Sequence, residues 1–411
     1  MKFYHVADLH FGKSIYGLSM LDDQKYWVNQ FIEYCQNDKP DAVVVAGDVY
    51  DRSNPSAEAV ELLDDFLTRL SIMDIPVLMI AGNHDSGQKL SFAHQMLAKQ
   101  NIHIAGTVKK EIKHVTLKDA YGEVTFWLLP YTFPEQISTI LENDELRTYD
   151  GAVKKLIDQQ NIDFTQRNVM ISHQNVVSNG KEIERGGSES MVGGVGQIDY
   201  TAFDGFDYVA LGHIHSSYPV GRDEVRYAGT PLCYHFKETR QAKKGFVEVI
   251  IKNKEEPVEI NVKELKPLHK MRYLEGTKDE IYALLEKDNG RNEYLSITIT
   301  DQRITPESMR YIKGMLESHD SLLLEMLSTY TSFSGVAASV DRESVENKSL
   351  EDLFSDLYQE QSDGTPPSDD EYTIMEYVGE LVRNQDVHLP LDPKEIDKIL
   401  KKAEALKGEY E

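Results

Sequence analysis

The length and charge of this chain limit what it can be. Its 411 residues are enough for two or three domains, and no apolar run approaches the roughly 20 residues of a membrane span. With no secretory signal pattern and only two cysteines, we expect a cytoplasmic protein without a disulfide framework. The net charge of −25 disfavours a broad basic surface for nucleic acid. It leaves open an enzyme whose local positive charge comes from bound metal.

The first 105 residues alternate between strand-like and helix-like segments. Strands are predicted over 2–7, 42–46, 75–81 and 101–105. Helices are predicted over 22–38, 57–71 and 89–99. Strands separated by helices of this length are typical of βαβ units and a largely parallel sheet.

The segment from about 112 to 265 is richer in strands. Clear strands are predicted over 124–129 and 245–251, and helices over 133–144 and 149–160. This pattern indicates the second half of a layered α/β sandwich. From 266 the composition changes. The pattern there is a strand, a helix (278–288), a strand (294–300), a helix (305–318) and a strand (321–326), which predicts a small α/β unit.

The C-terminal part of the chain differs in character from the rest. Residues 327–348 are rich in Ser and Thr and are predicted to be a linker. Apolar stripes at helical spacing follow between 349 and 411, so we predict a tail of short amphipathic helices. These stripes are compatible with folding back on the body or with binding a partner. We favour a partner because the linker separates the stripes from the core.

Five strand-like segments end in acidic, amide or imidazole side chains. The residues at these ends are Asp8, His10, Asp48, Asn83, His84, His173, His213 and His215. Open α/β sheets place their chemistry at the carboxyl ends of strands, so we expect these side chains to meet at one edge. Such ligands suit divalent manganese, iron or zinc, and the absence of thiolate argues against a structural zinc site. His5 lies inside the first strand and is predicted to be a packed core residue.

The candidate ligands outnumber what one ion requires. Eight suit two ions that share a carboxylate, and Asp48 is our candidate for the shared one. Two such ions lower the pKa of a bound water and hold phosphoryl oxygens, so the pattern predicts phosphoester hydrolysis. A single motif such as Asp8-x-His10 is weak, whereas all the motifs in this order at strand ends are specific.

These motifs resemble a known family. The segments that carry the resemblance are Asp8-Leu9-His10, Gly47-Asp48-x-x-Asp51, Gly82-Asn83-His84-Asp85, Ser172-His173 and Gly212-His213-Ile214-His215. They are similar to the five phosphoesterase motifs of the calcineurin-like metallophosphoesterases. Three further segments resemble the family of nuclease subunits of bacterial SbcCD complexes: Ala7-Asp8-Leu9-His10-Phe11-Gly12, Asp51-Arg52-x-x-Pro55 and Tyr227-Ala228-Gly229-Thr230-Pro231-Leu232.

The resemblance implies a fold and partners. It implies a layered α/β/β/α metallophosphoesterase sandwich over 1–265, a small α/β DNA-capping domain over 266–326, a linker over 327–348 and a helical partner-binding tail over 349–411. It further implies two divalent metal ions, with manganese expected, and double-stranded or hairpin DNA as the substrate. The expected protein partner is an ABC-type coiled-coil ATPase similar to SbcC, bound through the C-terminal helices. A homodimer without membrane association is expected.

The resemblance also assigns roles to individual residues. One ion would be held by Asp8, His10, Asp48 and His215. The other would be held by Asp48, Asn83, His173 and His213. His84 would lie beside the scissile phosphate without binding metal, and Asp85 would orient His84. Asp51 stands where some relatives have a second active-site histidine, so its role stays open.

These observations predict a manganese-dependent DNA nuclease. It would act as exonuclease and endonuclease on duplex ends and hairpins, with a water activated by two metals, as part of an ATPase-gated DNA repair complex. One alternative is a phosphodiesterase of small molecules or cyclic nucleotides, which would not require the extra domain and tail. The other is a DNA-end-binding scaffold with dispensable catalysis, which need not keep His84.

Overall fold

The computed structural model describes most of the first 330 residues. The described residues are 1–178, 180, 196–240, 243–287, 292–330, 352, 355, 358–359, 366–368 and 371–372. Residues 1–331 form one compact unit and residues 332–411 a second. The amphipathic stripes predicted between 349 and 411, and all but the first four residues of the predicted linker, lie outside the described residues. None of the helices in the described part is both long and apolar enough to span a membrane.

The first part of the compact unit follows the predicted alternation. In chain order its elements are β1 (Lys2–Val6), β2 (Ser14–Ile15), β3 (Leu18–Ser19), α1 (Leu21–Asp38), β4 (Ala42–Ala46), α2 (Ala57–Ile72), β5 (Val77–Ile80), α3 (Gly87–Leu90), α4 (His94–Leu97) and β6 (Ile102–Ala105). A short 3₁₀ helix at Ala98–Gln100 precedes β6.

The single helix predicted over 89–99 is wrong. The structure has two one-turn helices there, α3 and α4, and Ala93 between them takes a left-handed conformation with φ of 56°. The backbone at Gly87 packs against Gly106, where an added Cβ would lie 1.9 Å from the Gly106 carbonyl oxygen. The first of these turns therefore lies directly against the segment that follows β6, and the helical path ends at Leu90.

The second part of the unit is rich in strands. Its elements are β7 (Lys113–Asp119), β8 (Gly122–Leu129), α5 (Pro134–Leu141), α6 (Tyr149–Asp158), β9 (Arg167–Ser172), β10 (Val176–Val177), β11 (Ile198–Asp199), β12 (Tyr208–Leu211), β13 (Tyr218–Val220), β14 (Arg222–Tyr227), β15 (Gly245–Ile250) and β16 (Glu259–Glu264). Two further 3₁₀ helices lie at Tyr200–Phe203 and Phe236–Arg240.

Two six-stranded sheets form the body of the unit. The first has the order β16-β15-β1-β4-β5-β6, in which β1, β4, β5 and β6 are parallel. The second has the order β13-β14-β12-β9-β8-β7, in which β14, β12, β9 and β8 are parallel. The parallel strands of each sheet therefore deliver their carboxyl ends to a common edge.

Three apolar layers hold these sheets and helices together. Alternation along β4 sends Val43 and Val45 towards α1 and α2, where they pack with Phe31 and Phe66. It sends Val44 into the layer between the two sheets. A third layer covers the outer face of the second sheet with α5 and α6. The predicted layered α/β/β/α sandwich is therefore confirmed.

The small α/β unit follows the body. Its elements are β17 (Lys270–Gly276), α7 (Lys278–Lys287), β18 (Glu293–Ile299), α8 (Pro306–Glu317) and β19 (Leu322–Ser328), and its three strands are parallel. It has an apolar core of its own, but Met271 and Tyr294 belong to the core of the body. The buried Asp23 of α1 accepts a hydrogen bond from the Tyr294 hydroxyl at 3.0 Å and lies 3.0 Å from His269 Nδ1. β19 reaches Ser328, two residues into the predicted linker.

Candidate metal centre

The predicted strand-end residues lie together at one edge of the two sheets. Among the described residues, three groups of side chains bring their ligand atoms within 4.8 Å of one another. They are Asp8 with His10 and His215, His10 with Asp48 and His84, and Asp8 with Asp48 and His173. Asn83 and His213 join them, because Asn83 Oδ1 lies 3.1 Å from both His173 Nε2 and His213 Nδ1.

The backbone at this edge is strained. Asp8, His10, Asp48 and His213 all have positive φ, between 45° and 102°. Non-glycine residues rarely adopt such angles, and the strain persists only where the surrounding structure imposes it. Strain of this kind concentrates at functional sites.

Glycines allow the loops to approach one another. A Cβ at Gly82 would lie 2.1 Å from Asp48 Oδ1, and a Cβ at Gly47 would lie 2.3 Å from His173 Nδ1. A Cβ at Gly212 would lie 2.0 Å from the Ala46 carbonyl oxygen. The glycine that precedes each of these motifs is therefore required by the packing of the ligand loops.

The first donor group is deeply buried. Asp8, His10 and His215 are each at most 2% exposed. His10 Nε2 faces His215 Nε2 at 3.2 Å, and the Asp8 carboxylate accepts a hydrogen bond from the His213 backbone N–H at 3.0 Å. Within the part of the chain that the structure describes, His10 Nδ1 is buried without a hydrogen-bond partner.

In the group of Asp8, Asp48 and His173, the main chain fixes the orientation of the imidazole ring. His173 Nδ1 lies 2.7 Å from the Ala46 carbonyl oxygen. A carbonyl oxygen only accepts, so Nδ1 carries the proton and Nε2 points to the centre. His173 Nε2 lies 3.3 Å from Asp48 Oδ2. The Asp48 Oδ1 atom accepts from the His84 backbone N–H at 2.8 Å.

Burial and charge shift the pKa values of these groups in opposite directions. Burial alone would raise the pKa of Asp48, but the charge of His173 and its hydrogen bond outweigh it and hold this pKa well below the ordinary value. Burial would lower the pKa of His173, but Asp48 raises it to about 9. Burial raises the pKa of Asp8 to about 6 and lowers that of His10 well below its usual range. Buried carboxylates beside imidazoles form a site that favours a cation.

His84 lies at the same edge but is more exposed than the other candidate ligands in the three groups. Its side chain is 21% exposed, whereas that of Asp48 is 3% exposed. His84 Nδ1 lies 2.8 Å from the Asp51 carbonyl oxygen, which accepts a hydrogen bond from the Nδ1–H group. The Asp51 carboxylate is bound by Lys13 Nζ at 2.7 Å. The role of Asp51 that the sequence left open therefore includes a main-chain contact that orients His84.

The prediction that Asp85 orients His84 is wrong. The Asp85 carboxylate accepts from the backbone N–H groups of Gly82 at 2.8 Å, Val49 at 3.0 Å and Tyr50 at 2.9 Å. It thereby ties the loop that carries Asp48 to the loop that carries His84. Sequence motifs do not reveal this contact, because it depends on how two loops meet in space.

Two residues of this site lie outside the sequence motifs. Glu238 Oε1 lies 3.3 Å from His215 Nδ1, and Glu238 Oε2 accepts from Lys244 Nζ at 2.6 Å. Burial would raise the pKa of Glu238, but Lys244 and His215 lower it well below the ordinary value. Neither residue ends a strand or belongs to a spaced motif, so no sequence signal singled them out.

The side chains present fit divalent metal ions. The donors are carboxylate oxygen, amide oxygen and imidazole nitrogen, without thiolate, which suits borderline divalent ions. Two buried carboxylates, those of Asp8 and Asp48, lie in one group with His173. Such groups require charge compensation when they are removed from water.

Comparison with known proteins agrees with this geometry. Residues 1–217 match the calcineurin-like phosphoesterase family, and residues 267–362 match a family described as the type 5 capsule protein repressor C-terminal domain. The chain is 30% identical over 314 residues to the D-subunit of nuclease SbcCD from Staphylococcus epidermidis, covering 76% of this chain and 82% of that protein. It is 30% identical over 354 residues to the D-subunit of nuclease SbcCD from Staphylococcus saprophyticus, covering 86% and 90%. This chain therefore belongs to the calcineurin-like phosphoesterase family and, within it, to the group formed by the D-subunits of SbcCD nucleases.

Proposed function

We propose that this chain is a metal-dependent DNA nuclease that acts on duplex ends and hairpins in the cytoplasm. The observation that carries the proposal is the convergence of three donor groups at one edge. Two of them contain Asp48, and one of these includes the more exposed His84. This arrangement suits hydrolysis of a phosphodiester. The relatives named nucleases support DNA as the substrate.

In this proposal two divalent ions share Asp48. One would be held by Asp8, His10, Asp48 and His215, and the other by Asp48, Asn83, His173 and His213. Asp48 Oδ2 lies 3.8 Å from His10 Nε2 and 3.3 Å from His173 Nε2, which supports a shared position. Bound ions would supply the positive charge that polarises a phosphodiester and lowers the pKa of water. We propose manganese because of the mixed oxygen and imidazole donors.

His84 is proposed to act on the substrate. Its Nδ1 is anchored on the Asp51 carbonyl oxygen, so the ring presents Nε2 away from that anchor. An imidazole in this position can donate a hydrogen bond to the phosphate as charge develops, or protonate the leaving oxygen. Asp85 would contribute indirectly by holding the His84 and Asp48 loops together.

The proposed assembly includes other chains. The names of the relatives place them in a nuclease called SbcCD. We propose that an SbcC-like ABC-type ATPase binds the C-terminal helices at 349–411 and gates the nuclease, and that the small α/β unit caps the DNA. We also propose a homodimer. The apolar side chains of Phe92 and Met96 are 82% and 72% exposed. They support this proposal because a second copy of the chain could cover them.

The experiment is cleavage of a labelled hairpin and a labelled blunt duplex with manganese, and with chelator as a blank. His84→Ala is expected to lower the cleavage rate by about 10²–10⁴-fold, because it removes a group that acts on the substrate. Manganese affinity should stay nearly unchanged, because His84 is not a ligand in this proposal. His114→Ala, an exposed histidine on β7, is the matched control and should leave the rate unchanged.

Two results would contradict this proposal. Brisk hydrolysis of cyclic nucleotides without DNA cleavage would identify a small-substrate phosphodiesterase. DNA binding by the complete complex, with the ATPase partner and ATP present and no hydrolysis of either substrate, would identify an end-binding scaffold.

A further inference from the structure

Glu238 contacts the ring of His215, one of the proposed metal-ligand histidines, on the side away from the donor group. It belongs to the 3₁₀ helix Phe236–Arg240, its side chain is fully buried, and its Oε1 is 3.3 Å from His215 Nδ1. The other ring nitrogen, His215 Nε2, faces His10 Nε2 at 3.2 Å inside the donor group. One imidazole is thus held between a carboxylate and the metal centre.

The Glu238 carboxylate is itself fixed in position. Its Oε2 accepts from Lys244 Nζ at 2.6 Å and from the Tyr234 backbone N–H at 3.2 Å. Lys244 Nζ also donates to the His215 carbonyl oxygen at 2.8 Å and to Thr230 Oγ1 at 2.7 Å. Lys244 therefore binds both the carboxylate and the main chain of the histidine.

We propose that Glu238 is a positioning residue that keeps the proton of His215 on Nδ1 and turns Nε2 towards the metal. An ionised carboxylate accepts only, so the nitrogen that faces it must be the donor. The partner of a metal-ligating histidine fixes its tautomer, and its loss typically weakens metal affinity by about 10–100-fold. Lys244 holds Glu238 in place.

The histidines of the two proposed ion positions differ in what orients their rings. His173 is oriented by a backbone carbonyl, that of Ala46, which no substitution of a side chain removes. His215 is oriented by a side chain. A change at Glu238 is therefore expected to affect mainly the ion held with Asp8, His10 and His215.

The test measures metal binding without DNA. The chain is stripped with chelator and titrated with Mn²⁺ in a calorimeter. Glu238→Gln keeps the shape of the side chain and is expected to weaken one of two Mn²⁺ affinities by about 10–100-fold, with the other nearly unchanged. Lys244→Met should weaken the same affinity by a smaller factor. Glu248→Gln is the matched control, because Glu248 is 7% exposed and ion-paired with Lys263 on the strand pair β15–β16, away from the ligands.

A second readout does not depend on any variant of Glu238 folding. Long-range ¹H–¹⁵N spectra of the wild-type chain report which nitrogen of His215 is protonated, with the signal assigned by its loss in His215→Asn. A proton on Nδ1 supports the proposal, and a ring protonated on Nε2 alone overturns it. Unchanged Mn²⁺ affinities in folded Glu238→Gln and Lys244→Met would also overturn it. The inference rests on the proposed metal site but not on the substrate, so absence of DNA cleavage would leave it standing.

Discussion

Replacing Asp85 by asparagine separates two roles for this residue. The structure gives its carboxylate three backbone donors, from Gly82, Val49 and Tyr50. Asparagine has one accepting oxygen, which can serve Gly82 and Val49 because they share Oδ2. Its NH₂ group would then face the Tyr50 N–H, and neither group accepts.

The structure sets the size of this effect. A hydrogen bond to a charged group contributes about 1.5–3 kcal/mol, and an unsatisfied buried donor costs about 1–3 kcal/mol. Asp85→Asn loses one such bond and weakens two, so we expect a loss of about 3 kcal/mol in the free energy of unfolding. Unfolding entropy scales with chain length, so in a compact unit of residues 1–331 the midpoint of thermal unfolding should fall by about 4 °C.

The assay is thermal unfolding of the chelator-treated chain, followed by Mn²⁺ titration below the unfolding midpoint. The Mn²⁺ affinity should fall together with stability, because Asp85 joins the loops that carry Asp48 and Asn83. Asp163→Asn is the control, since the exposed Asp163 accepts from the Thr165 N–H with one oxygen, which asparagine retains. A variant with wild-type stability and Mn²⁺ affinity but slow DNA cleavage would refute this reasoning, because it would show that Asp85 acts on His84.

Three further predictions concern groups away from the ligands. Burial lowers the pKa of His5 to about 3 from 6.5. The unfolded chain therefore binds a proton that the folded chain excludes, and stability falls as pH falls below about 6.5. Unfolding measured at pH of about 7 and about 4.5 should show that His5→Gln removes about 2–3 kcal/mol of this loss. Burial would raise the pKa of Asp119, but Arg167 at 2.7 Å helps to lower it below its ordinary value. Its stabilisation is then present above pH of about 4 and lost as pH falls through the folded value, so Asp119→Asn should cost about 3 kcal/mol near neutral pH and progressively less as pH falls below about 4. Tyr294→Phe removes a donor to the buried Asp23, which should cost about 1–3 kcal/mol and speed hydrogen exchange in β17 more than in β1.

The strand ends that form the candidate metal centre could be predicted from sequence for a physical reason. Parallel strands deliver their carboxyl ends to one edge, so an Asp or His after an apolar run is placed by the sheet itself. His5, inside β1, was likewise predicted as a core residue, and it is fully buried with Nδ1 3.0 Å from the Tyr208 hydroxyl. The break within 89–99 could not be predicted, because no Gly or Pro lies there. The neighbouring close approach of Gly87 to Gly106 joins segments that are distant in the sequence.

The orienting contacts of the three histidines follow the same logic. His173 and His84 are held by the carbonyl oxygens of Ala46 and Asp51. Asp51 lies in a marked motif, and Ala46 comes directly before the same motif. Such main-chain acceptors follow from the fold and tolerate substitution of their own side chains. His215 is held instead by Glu238, a side chain that no motif marks. In the proposed metal site, single substitutions at Glu238 are therefore expected to change the affinity for the ion near His215, while His173 keeps its backbone anchor. The two proposed ion positions are thus expected to differ in how readily sequence change alters their affinity.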